Sequence, residues 1–226
     1  MAKKKVTRKE LLKSPDEFLT FSQKAALFFS SHRRHFEIVG YVLVGIAVVY
    51  LAVNTYFRYV NKKGQEAYNK AYSALSETMR EEPDVQKLSE AGRLFSKVID
   101  EYGHSKVAPL AVPQLAWTKF LQKEYDEAIS LYKDFLDEIS GDPLYESLTR
   151  LALAACYESK GEFKAAVENL ETVMILPENP ITELALFSLA RVYRLDNQAE
   201  RAKETLKKFV EKYEDSPFLP MAKALL

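Results

Sequence analysis

The chain has 226 residues, 32 Lys/Arg balanced by 32 Asp/Glu, and a single cysteine, which excludes an internal disulfide. Only seven glycines, in a chain rich in Ala, Leu, Glu and Lys, argue for helices against a sandwich or barrel. The neutral total hides an asymmetry: residues 1–35 carry nine Lys/Arg against three Asp/Glu, residues 61–226 carry 22 against 28. A body that acidic lacks the concentrated basic face phosphate backbones require, which argues against DNA or RNA as a ligand.

In chain order, residues 1–35 form a basic tail. Within it Ser14, Pro15 and Glu17 stand as a cap, a first-turn proline and a capping-box acid. Phe18, Phe21, Ala25, Phe28 and Phe29 then recur on one helical face. A short amphipathic helix lying on the inner leaflet is one reading of this segment; a disordered basic linker is the other. His32 and His35 are spaced as a metal pair but have no further ligand nearby, so no metal site is expected.

Residues 36–59 read as a transmembrane helix. Phe36–Phe57 is 22 residues long, about 33 Å as a helix, enough for a hydrocarbon core of about 30 Å. Its least apolar members, Glu37 and Asn54, stand near the ends, and it shows no polar stripe. It starts too late and runs too long for a cleaved signal and has no small-x-small cleavage site, so a retained signal-anchor is expected. Arg33 and Arg34 on one side face Arg58, Lys62 and Lys63 on the other, all at the membrane interface. The nine basic residues of the whole tail tip the balance toward an N-terminus inside.

Residues 60–226 carry an internal repeat. The segments "LSEAGRLFSKVI", "KEYDEAISLYKDFL", "GEFKAAVENLETVM" and "NQAERAKETLKKFV" align on Ala91, Ala128, Ala166 and Ala202, spaced 37, 38 and 36 residues apart. Four residues on stand Phe95, Tyr132, Leu170 and Leu206; seven on stand Val98, Phe135, Val173 and Phe209. Twelve upstream, Ala116, Ala154 and Ala190 each follow a leucine. Small residues at fixed register let two helices approach closely. Cys156 lies in an apolar helical pattern and is expected to be a buried small hydrophobe.

This pattern resembles the tetratricopeptide repeat, with "LAACYESKGEFKAA" nearest its consensus through Ala154, Tyr157, Gly161, Phe163 and Ala166. The resemblance implies an all-α fold, a solenoid of antiparallel helix pairs over residues 60–226, with "SPFLPMAKALL" as a C-terminal capping helix. Gly161 and Asn197 fall at interhelix turns, where a left-handed backbone suits Gly or Asn. Lys119 and Lys123 depart from the pattern, Pro113 threatens a kink, and "REEPDVQ" lengthens the first turn. By the family's register the binding groove includes Trp117, Phe120, Leu151, Glu158, Phe187, Arg191 and Arg194. Core packing is the competing account of Phe187 and Leu151, and sealing of the previous repeat that of Trp117.

No nucleophile motif, phosphate loop, HExxH or CxxC occurs, and His104, the only histidine of the body, falls in a turn. No catalytic residue, metal or cofactor is therefore expected. The partners expected are proteins and membrane lipid. The layout of basic tail, single span and acidic repeat domain resembles the ancillary subunit of the bacterial SecYEG translocon. That resemblance implies an inner-membrane protein with a periplasmic chaperone domain. "FSKVIDEYGHSKVAPLA" and "FVEKYEDSPFLPMAKAL" also resemble repeats of outer-membrane assembly and Tol–Pal proteins, which leaves a cell-envelope scaffold as the alternative. An envelope enzyme or its regulatory subunit is the third.

Overall fold

The computed structural model describes residues 17–80, 84–139 and 141–226. Ser14 and Pro15 of the tail helix, and Glu81, Glu82 and Pro83 of the lengthened first turn, lie outside them. The described residues are helices and turns with no strand, and they fall into two units divided between Tyr56 and Phe57.

The first unit holds α1 (Glu17–Ser31) and the start of α2 (Arg33–Arg80). Phe21, Phe28 and Phe29 are exposed, and Phe28 and Phe29 gather with Phe36 at ring distances of 4.6–6.2 Å. Glu37, the one acid in the apolar stretch, accepts a hydrogen bond from Arg33 Nε at 2.9 Å, one helical turn away. Helix α2 is long and apolar enough, by length and composition, to cross a membrane, and none of its apolar window is buried. From Val60 onward the same helix changes character. Val60, Gly64, Ala71, Leu75 and Thr78 are buried, a stripe at helical spacing that packs on a core.

The second unit, Phe57–Leu226, is a stack of helix pairs. The end of α2 pairs with α3 (Val85–Tyr102), α4 (Ala108–Leu121) with α5 (Tyr125–Glu138), and α6 (Pro143–Ser159) with α7 (Phe163–Ile175). Last come α8 (Thr182–Leu195) with α9 (Ala199–Lys212), closed by the short α10 (Leu219–Ala224). Asp84 and Asp142 cap α3 and α6, accepting from Gln86 N–H at 2.8 Å and Leu144 N–H at 3.0 Å. The alanines that set the repeat register, Ala91, Ala128, Ala166, Ala202, Ala116, Ala154 and Ala190, are all buried, as are the large residues four and seven positions on. Burying each such Phe, Leu or Val contributes about 1.5–3 kcal/mol. Neighbouring pairs are tied at intervals close to one repeat: Lys160 to Asp126, Arg191 to Glu158, Asn179 Nδ2 to Ser147 Oγ, and Tyr213 to Glu178 lie 32 to 35 residues apart in sequence.

The turns inside the pairs close alike. The N–H groups of Glu124, Glu162 and Gln198 donate to the carbonyls of Lys119, Tyr157 and Tyr193, each five residues back, at 2.8–2.9 Å. That closure needs a left-handed residue just before, supplied by Lys123 (φ 64°), Gly161 (φ 75°) and Asn197 (φ 59°). Gly161 and Asn197 thus stand where the sequence placed them, and lysine occupies the same seat in the second repeat. A lysine there carries a steric cost of about 1–2 kcal/mol that glycine avoids, partly offset by glycine's greater chain entropy when unfolded. Lys123→Gly is therefore expected to stabilise the fold by about 0.5–1 kcal/mol, read as a raised urea midpoint; a lowered midpoint would contradict this account.

Candidate interaction groove

The first helices of successive pairs form one side of the stack. Between α4 and α6 they leave a cleft of ≈ 390 Å³, reached also by Tyr68 of α2 and floored by Tyr132 and Phe135 of α5. Helix α4 contributes Leu110, Pro113, Gln114 and Trp117; α6 contributes Tyr145, Leu148, Thr149 and Ala152. These positions recur at three- and four-residue steps, which places them on one face of each helix. Pro113 lies within α4, which runs on through it.

The aromatic walls are held from behind. Trp117 stacks on Phe120 with 5.2 Å between ring centres and 14° between planes. Tyr68 meets Phe95 edge-on at 5.8 Å, and Tyr145 meets Phe135 edge-on at 6.4 Å. Burial pushes the Tyr68 phenol above its ordinary pKa, with smaller contributions from Tyr72 and Tyr145, and raises that of Tyr132 further. Both are neutral hydrogen-bonding groups at any physiological pH.

A second cleft, of ≈ 180 Å³, lies one repeat further along between α6 and α8. It is lined by Leu151, Ala154, Ala155, Glu158, Leu184, Ser188 and Arg191, above Leu170 of α7. The Arg191 guanidinium donates to the Glu158 carboxylate across its mouth.

The seven groove residues expected from the repeat register therefore divide. Trp117 lines the larger cleft and Phe120 backs it, packed against Tyr125 at 5.6 Å. Leu151, Glu158 and Arg191 line the smaller cleft, and Arg194 stands exposed in the last turn of α8. Phe187 is a correction. Only 7% exposed, it stacks on Phe218 at 5.3 Å and meets Phe209 at 5.5 Å, inside the core. It stands three residues before Ala190, as Leu151 stands before Ala154 and Pro113 before Ala116. In those two repeats that position faces the next first helix; in the last repeat α10 and Phe218 sit there and cover it.

Tyr68, Pro113, Tyr145 and Leu148 also line the larger cleft, and the repeat register does not select them. The step of three from Tyr145 to Leu148, at the start of α6, was the available signal.

Other residues behave structurally. Cys156 is fully buried, and burial pushes its thiol up to about 11. His104 is exposed in its turn. Lys119 donates to Glu124 at 2.5 Å and lies 2.7 Å from Glu127, clipping α4 to the start of α5. Among the described residues no group of three His, Cys, Asp or Glu is placed to hold a metal ion.

Paired helices in close register, left-handed interhelix turns and clefts on the first-helix side define a helical-repeat protein. The sequence model of the tetratricopeptide repeat-like domain matches residues 32–174, and that of the tetratricopeptide repeat matches 184–216. The chain belongs to the tetratricopeptide repeat-like domain family. No curated protein sequence matches it.

Among solved structures, a tetratricopeptide repeat protein from Parabacteroides merdae is similar, with 18% identity and a TM-score of 0.57 over 73% of this chain and 59% of that one. The present chain thus spans less than two thirds of that relative. The nearly identical tetratricopeptide-like repeats of a candidate kinesin light chain from Podosopora anserina match with 18% identity and a TM-score of 0.57, over 74% and 84% of the two chains. At such identities the likeness establishes the fold.

Proposed function

We propose that this protein is a membrane-anchored interaction module, an accessory or chaperone factor beside the Sec translocon in a bacterial envelope. Residues 1–35 form its basic cytoplasmic tail, 36–59 cross the inner membrane, and 60–226 form the repeat domain in the periplasm. The observation that carries this reading is the two-part character of α2, whose apolar stretch buries nothing while the residues from Val60 onward build the first repeat. Support comes from the basic residues bounding that stretch. Arg33 is paired with Glu37 and Lys63 with Glu66, while Arg34, Arg58 and Lys62 are exposed. Tethering keeps the clefts near a membrane surface, so weak contacts with emerging chains gain from high local concentration.

Site-specific photo-crosslinking in intact cells tests the proposal, with the photoreactive group at Trp117 or Phe120. Capture of translocon subunits or newly exported chains is the expected outcome. Exclusive capture of outer-membrane assembly or Tol–Pal components would replace it with the envelope-scaffold reading. Orientation is checked at Cys156, whose burial and raised pKa shield it until the domain is unfolded. In spheroplasts with sealed inner membranes, a membrane-impermeant thiol reagent is expected to label it only after unfolding. Persistent protection would put the repeats on the cytoplasmic side.

A further inference from the structure

The larger cleft is lined by eleven residues, none of them ionised, in a chain that is 28% Asp, Glu, Lys and Arg. Glu146 and Arg150, on the helix that carries Tyr145 and Leu148, pair with each other at 2.8 Å. A charge entering this cleft would lose water and meet no opposite charge, a loss that burial of neighbouring apolar atoms does not recover. A terminal carboxylate would find no lysine or arginine among the lining residues. An uncharged chain, by contrast, meets braced rings that lose little rotamer freedom on binding. For its amide groups the lining offers Gln114 and three tyrosines, Tyr68, Tyr132 and Tyr145, as hydrogen-bonding residues. The volume, ≈ 390 Å³, lies at the lower end of the roughly 300–1,000 Å³ typical of ligand pockets. That is room for large side chains of an extended segment, not for a folded surface.

We infer that this cleft binds extended, uncharged polypeptide segments through bulky apolar side chains and rejects segments charged at those positions. The inference rests on the reading of the solenoid as an interaction module and names the chemistry of its ligand. It also separates the two clefts, since the smaller one carries the Arg191–Glu158 pair at its mouth.

Trp117 is the only tryptophan in the chain, so its emission reports on this cleft alone. The 226-residue chain in detergent micelles, which add no tryptophan, is titrated with short tryptophan-free peptides of matched length. One alternates Phe and Leu with Ser; in the others Asp or Lys replaces the serines. The neutral peptide is expected to change Trp117 emission saturably, and either charged peptide to bind at least about tenfold more weakly. Leu148→Glu, at a position 40% exposed, is expected to weaken the neutral peptide about tenfold and to favour the lysine peptide over it. If that variant lowers the unfolding temperature, Leu148→Ala takes its place and is expected to weaken the neutral peptide alone. Equal binding of neutral and charged peptides, no emission change with the neutral one, or an unchanged affinity in the Leu148 variant would overturn the inference. Its failure alongside translocon crosslinks in cells would leave the proposed function standing. Peptide selectivity as expected, without those crosslinks, would remove the translocon and keep the cleft chemistry.

Discussion

Phe135→Ala is expected to lower the unfolding free energy by about 3–5 kcal/mol, the range for truncating a fully buried phenylalanine. Phe135 is 2% exposed in α5, near the middle of the stack, and its ring meets Tyr145 of α6 edge-on. In a linear array each repeat is held only by its neighbours, so a weakened central joint uncouples what lies on either side. The expected urea transition, followed by circular dichroism, is therefore shallower as well as earlier. Phe209→Ala, at an equally buried position beside α10, should lose comparable stability but fray the last pair while the earlier repeats keep their transition. A loss under about 1 kcal/mol at Phe135 would show that the α5–α6 joint does not depend on this ring. Phe135→Ala also removes the edge contact that braces Tyr145, so peptide affinity should fall along with stability.

Gly64→Ala is expected to destabilise the fold by about 1–3 kcal/mol, as overpacking does, although helix propensity alone favours alanine by about 1 kcal/mol. A Cβ at position 64 would lie 2.6 Å from Ser105 Oγ, 2.8 Å from Ser105 Cβ and 3.2 Å from Tyr102 Cβ. The residue after Ser105, Lys106, donates its backbone N–H to Asn61 Oδ1 at 2.8 Å, which ties this turn to α2. Ser105→Gly in the same chain should recover much of the loss, giving a coupling above about 1 kcal/mol in the double-mutant cycle. Ser105→Ala alone should be neutral or stabilising, because its buried Oγ has no hydrogen-bond partner to lose. Additive effects of Gly64→Ala and Ser105→Gly would mean that the close approach does not set the position of α2.

The legible and the illegible parts of this fold are separated by the range of the contacts involved. Helix pairing inside a repeat is local: Ala116 must be small because Ala128 comes near it, and twelve residues of sequence record that demand. The left-handed turns at Gly161 and Asn197 are local too, and so were legible. Groove membership is set between repeats. The position three before each inner alanine is open in Pro113 and Leu151 but covered in Phe187, and nothing within α8 reports that α10 packs over it. Gly64 illustrates the same limit, since its reason lies at Ser105, 41 positions away in the chain. Lys123 is the opposite case, a residue type with no preference for the conformation its turn imposes.

The helix α10 lies over Phe187 and Phe209, on the face that would otherwise seat a further first helix. Solenoids have two unlike ends, so an uncovered one can accept the leading end of another molecule, and such head-to-tail contacts propagate into filaments rather than closing. The six residues of α10 cover that face here. With α10 in place, Phe187 and Phe209 are withheld from such contacts.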